Sequence, residues 1–124
     1  MWSDANRFFL SSFRLAIRLD DKMQYHILTL GRDSRGVVDA ISIDEAVETF
    51  SNILRTRYQL DAFSIFEGKG YWRGLPENII RFEVFGLADS AAKNLAATLA
   101  KTFNQEAVML LSVNSRPKFI RGDM

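Results

Sequence analysis

At 124 residues, with 48% hydrophobic and 25% charged side chains, the chain has the size and balance of one globular domain. Sixteen basic against fifteen acidic residues leave a formal charge of +1, which excludes the broad positive field of a dedicated nucleic-acid binder. There is no cysteine, so disulfides, thiolate metal sites and cysteine nucleophiles are excluded, and no apolar run approaches the roughly 20 residues of a membrane span. Met1-Trp2-Ser3-Asp4 lacks the basic and apolar regions of a signal peptide, and the expected setting is a reducing cytoplasm.

Arg7 to Arg18 reads as a first strand, with Phe9, Phe13, Leu15 and Ile17 on one face and Phe8, Leu10 and Ala16 on the other. Residues 19–40 read as an uncertain insertion, with a short strand at Tyr25 to Leu30 and a polar loop from Gly31 to Gly36. Ser42 with Glu45 three residues later is a capping box, and Ile43, Ala46, Val47, Phe50, Ile53, Leu54 and Tyr58 then keep helical spacing. Ala62 to Phe66 alternates as a strand. Gly68-Lys69-Gly70 and Gly74 suggest a turn, with Glu67, Tyr71, Trp72 and Arg73 around it. Pro76 and Asn78 punctuate the chain before another strand, Ile79 to Phe85, ended by Gly86. Asp89 or Ser90 is placed to cap a second helix with an apolar stripe of Ala92, Leu95, Ala96, Leu99 and Phe103. Ala107 to Val113 is a last strand, and residues 114–124 form a loosely packed basic tail.

The order strand, helix, strand, strand, helix, strand predicts a single α+β domain over residues 1–124 with the ferredoxin-like βαββαβ plan. Its antiparallel sheet has order 4-1-3-2 and both helices on one face. The other face should then be polar in a monomer, yet Phe8, Leu10, Phe63, Ile65, Ile79, Phe85, Met109 and Leu111 put bulky groups on both parities. A homo-oligomer packed through its sheets would cover such a patch.

The lone His26 has no acid, serine or cysteine partner in a recognisable motif, and a structural role is its first explanation. Asp20, Asp21 and Asp33 read as solvated loop residues rather than metal ligands. The polar candidates that survive lie at strand ends. Glu67 is expected to close the second strand and Glu106 to open the fourth, at the same end of the sheet but on opposite edges. Within one chain they stand apart. Across an oligomer contact they can converge on one cationic ligand, with Tyr71 or Trp72 offering a ring face. Tyr58 ends a core stripe and can reach Glu67 only from a neighbouring chain, while Arg73 suits a carboxylate. Each has a plainer explanation, as a solvated turn residue or a packing group.

Three motifs resemble the phage-encoded S-adenosylmethionine lyases, a family formerly described as hydrolases. They are Phe9-Leu10-Ser11-Ser12-Phe13-Arg14, Gly70-Tyr71-Trp72-Arg73 and Asn104-Gln105-Glu106-Ala107-Val108-Met109-Leu110, in this order over about residues 8–113. The resemblance implies a compact ferredoxin-like oligomer, a trimer, that binds substrate between subunits without metal or other cofactor. It implies cleavage of S-adenosylmethionine to 5′-methylthioadenosine and homoserine lactone, in the bacterial cytoplasm, as a counter to host restriction. It points to Glu67, Glu106 and Tyr58 as catalytic groups and to Tyr71, Arg73 and Ser11 as substrate contacts. Two rival readings are a non-enzymatic ferredoxin-like module that binds a small metabolite and a phage inhibitor of a host enzyme.

Overall fold

The computed structural model describes residues 24–113 and 120–122. Strand β1 is Gln24–Gly31, helix α1 Ile43–Tyr58, β2 Ser64–Trp72, β3 Leu75–Leu87, α2 Asp89–Thr102 and β4 Met109–Val113. The strands form one antiparallel sheet in the order β2-β3-β1-β4, which is the expected ferredoxin-like order. The first place in that plan belongs to Gln24–Gly31, inside the segment read as an insertion. Arg7–Arg18 lies outside the described residues, as does most of the tail, of which Ile120 is exposed.

Alternation sorts the sheet into two faces. His26, Leu28 and Leu30 of β1 and Ile80, Phe82 and Val84 of β3 are buried on one face. They form a single core with Ala46, Phe50, Ile53 and Leu54 of α1 and Leu95 and Leu99 of α2, so both helices cover that face. Phe50 stacks on Phe82 at 3.9 Å between ring centroids and meets Phe63 edge-on at 4.9 Å, locking α1 to the sheet. His26 is fully buried in the same layer. Its Nε2 lies 2.9 Å from the Leu87 carbonyl, which can only accept, so Nε2 carries a proton, and Nδ1 shares a hydrogen bond with the Ser112 hydroxyl at 2.7 Å.

The helix ends follow their local chemistry, with one departure. Ser42 caps α1 by accepting from the Glu45 amide at 3.1 Å, and Gln59, at φ 53°, ends it while Leu60 N–H returns to the Leu54 carbonyl. Neither Asp89 nor Ser90 caps α2. The helix starts behind Ala88 with no side-chain cap, and Asp89 serves in the first turn, where it suits the helix dipole and pairs with Lys93 at 3.2 Å.

The larger correction concerns the glycines at 68 and 70, which do not turn the chain. Strand β2 runs through them to Trp72, and the turn is Arg73-Gly74, with φ 50° and 79°. Two successive positive φ values make the type I′ loop whose twist matches a hairpin. Gly68 and Gly70 instead lie in the strand under the Ile79 side chain, where a Cβ on Gly70 would come within 3.2 Å of Ile79 Cγ2. The hairpin therefore reaches beyond the end of β1. Pro76 is tolerated there because the residue next to the Trp72–Leu75 pair turns its backbone away from β2, toward the side that β1 has already left. Gly86, at φ 104°, does not end β3 but forms the bulge between the Tyr25–Phe85 and Gln24–Leu87 pairs.

Candidate functional site

The sheet face away from the helices carries Tyr25, Ile27 and Thr29 of β1, Ile79, Arg81, Glu83 and Phe85 of β3, and Met109 and Leu111 of β4. Phe66, Met109 and Leu111 are between 51% and 61% exposed on it, so the expected apolar second face is present among the described residues. The Tyr25 hydroxyl donates to Glu83, which keeps that carboxylate engaged within the face.

A cleft of about 720 Å³ opens at the end of this face where β1 finishes and β4 begins. Its polar lining includes Thr29, Asp33, Arg35, Glu77 and Glu106, with Gly31 at its floor and Ile79 and Met109 on its apolar side. The walls are held by the backbone. Residues 34–37 form a tight turn closed by Ser34 N–H to Val37 carbonyl at 3.0 Å and the reverse bond at 2.9 Å. Asp33 accepts from the Asp39 amide at 2.8 Å, and Asn78 donates its side-chain amide to the Asp39 carboxylate. On the opposite wall Asn104, at φ 53°, ends α2, and Gln105 N–H returns to the Ala100 carbonyl at 2.8 Å. The Gln105 side chain then donates to the Asp33 carbonyl at 2.8 Å and ties the two walls together. Glu106 follows immediately.

Glu77 enters from β3. Its carboxylate lies over Gly31 so closely that a Cβ on that glycine would overlap it. Sequence reasoning passed over Glu77 as part of the Pro76–Asn78 punctuation. The usable signal was parity, since Glu77, Ile79, Arg81 and Glu83 share one strand face. The Thr29 hydroxyl is buried beside the cleft and has no hydrogen-bond partner among the described residues. Among the described residues, three carboxylates against one guanidinium make the cleft formally anionic, suited to a cation rather than to phosphate.

The residues singled out from the sequence are dispersed. Glu106 lines the cleft, but three positions before β4 rather than as its first residue. Glu67 lies within β2 rather than at its close, and its register partner Ile80 puts it on the helix side of the sheet. There Arg32 Nη1 stands 3.6 Å from its carboxylate. With β3 and β1 between their strands, Glu67 and Glu106 are separated by three strand spacings, about 14 Å. One chain does not bring them together. Tyr58 is partly buried against the core at the end of α1. Tyr71 is 71% exposed on the overhanging hairpin, and Arg73 forms its turn. Ser11 lies outside the described residues. Among the described residues no group of three or more histidine, aspartate or glutamate side chains is arranged to hold a metal ion. No helix among them is long and apolar enough to cross a membrane.

No protein-family model and no curated protein sequence matches the chain. Two solved structures do. A phage SAM lyase in complex with S-methyl-5′-thioadenosine superposes with a TM-score of 0.61 at 18% identity, covering 74% of this chain and 81% of that one. A phage SAM lyase in the apo state gives 0.59 at 17% identity, covering 82% and 97%. The fold is that of the phage S-adenosylmethionine lyases. At this identity the likeness concerns the fold alone.

Proposed function

We propose that the protein is a lyase that cleaves S-adenosylmethionine into 5′-methylthioadenosine and homoserine lactone. The observation that carries this reading is the likeness of fold to a phage SAM lyase holding S-methyl-5′-thioadenosine. The anionic cleft beside an apolar sheet face supports it, because the substrate brings two cationic centres, the sulfonium and the ammonium.

The reaction asks little of the protein's own reactivity. One oxygen of the substrate carboxylate attacks the γ-carbon, the carbon–sulfur bond breaks, and its electron pair stays on sulfur. The lactone keeps the ammonium, methylthioadenosine leaves neutral, and no proton, water or metal enters the balance. Positioning then supplies the catalysis, and a well-oriented intramolecular attack is worth about 7–11 kcal/mol. Opposite charges cancel along the path, so a cleft partly closed to water favours the transition state over the solvated zwitterion.

In this proposal the working unit is a homotrimer packed through the exposed sheet face, and each site is shared. Glu106 holds substrate in the cleft, while Glu67 and Tyr58 are contributed by a neighbouring chain. Tyr71, Arg73 and Ser11 complete the substrate contacts. Depletion of S-adenosylmethionine would deprive host restriction systems of a required small molecule in the bacterial cytoplasm. The direct test is incubation of the purified protein with S-adenosylmethionine, followed by chromatography. Methylthioadenosine together with homoserine lactone is the expected result. Unchanged substrate would overturn the reading, and homoserine as the first product would overturn the intramolecular step.

A further inference from the structure

Resting on the S-adenosylmethionine reading above, we propose that Glu77 is a specificity-determining residue whose carboxylate, with that of Glu106, selects the charged substrate over the neutral product. Glu77 is half-buried on the cleft floor; its backbone pairs with Gly70, but among the described residues its carboxylate has neither a hydrogen bond nor an ion pair. Glu67 differs in this respect, being paired with Arg32. A half-buried carboxylate without a partner pays a desolvation cost that a cation from outside offsets.

The backbone is shaped for this placement. Gly31 is the position where β1 passes beneath Glu77, and any side chain there would occupy the space that the carboxylate takes. Glu106 faces the same cleft from the α2–β4 connection, whose Gln105 is fixed to the Asp33 carbonyl. Arg35 offsets only part of the charge of Asp33, Glu77 and Glu106. Thr29 lines the same cleft, and its buried hydroxyl has no hydrogen-bond partner among the described residues.

The two ligands differ in charge where it matters. S-adenosylmethionine carries a sulfonium and an ammonium against one carboxylate, whereas methylthioadenosine carries none of the three. An anionic floor therefore attracts the first and is indifferent to the second. After carbon–sulfur cleavage the sulfur is neutral, and the attraction that held the adenosyl part lapses. Discrimination and product release come from the same carboxylates.

The test compares the full-length wild type with Glu77→Gln and Gly31→Ala, measuring KM and kcat for S-adenosylmethionine, inhibition by methylthioadenosine, and Tm. Glu77→Gln is expected to raise KM at least ~10-fold, the size of one charge-assisted hydrogen bond. Inhibition by methylthioadenosine should stay within about twofold, and Tm should hold or rise, because one of three neighbouring like charges is removed. Gly31→Ala, which displaces the carboxylate without removing it, should move KM in the same direction. Equal loss of substrate and product binding, or a marked fall in Tm, would make Glu77 a structural residue and overturn the proposal. An unchanged KM in an active Glu77→Gln enzyme would overturn it while leaving the lyase reading intact. A wild type that neither binds nor consumes S-adenosylmethionine would end both.

Discussion

Arg32, which follows β1, and Glu67 of β2 meet across the end of the sheet, guanidinium nitrogen to carboxylate oxygen at 3.6 Å, with strand β3 between β1 and β2. Arg32 is only 19% exposed and also donates from Nε to the Ile41 carbonyl at 2.9 Å, so the arginine is held on both sides and the glutamate is the more exposed partner. An ion pair whose acid is 62% exposed adds little to stability, up to about 1 kcal/mol. Glu67 can exchange Arg32 for another cation at small cost.

The first prediction follows from that exchange. On the proposed function, Glu67→Gln and Glu106→Gln should each abolish turnover of S-adenosylmethionine while leaving the proposed trimer intact. Both side chains are exposed, so neither substitution should shift the urea midpoint by more than the equivalent of about 1 kcal/mol. Activity assays paired with sedimentation and denaturation measurements check this. Full activity in both variants would remove the assigned site.

A second prediction concerns His26 and Ser112, which join β1 to β4 inside the core. His26→Ala leaves a cavity and two buried groups without partners, and it should cost about 3–5 kcal/mol in urea denaturation. Ser112→Ala alone should cost about 1 kcal/mol. In the double variant the two losses should fall short of their sum, because they break one shared bond.

The third prediction tests the hairpin. Gly74→Val places a β-branched residue at φ 79° and should destabilise the protein by about 1–2 kcal/mol. Gly74→Asn, which tolerates that region, should be much milder. Similar effects from both would mean that the turn is not under the conformational demand described above.

Much of the plan could be read from the chain because local and tertiary signals agreed. The Ser42–Glu45 capping box and the stripe from Ile43 to Tyr58 led directly to α1, and the order of elements led to the sheet order. β1 was harder to recognise because polar groups fall on both its parities. His26 is buried on the core face through partners at Leu87 and Ser112, and Thr29 lies on the other. Gly68 and Gly70 misled for a related reason. Their strand role depends on Ile79, a cross-strand neighbour that no local pattern announces. Of the cleft lining, Glu106 was visible as a carboxylate at a helix-to-strand junction. Glu77 was not, because its value comes from Gly31 passing beneath it on another strand.

Pro76 has one more consequence, for association between molecules. Beyond the end of β1, the stretch Leu75–Asn78 has a side that no described strand covers, where a strand from another molecule could add and begin a growing ribbon. At Pro76 that side offers no N–H, and at Asn78 the carbonyl is already taken by the Arg32 amide at 3.0 Å. The overhanging hairpin thus presents a ladder with rungs missing. It can reach outward as an arm without becoming a template for fibrils.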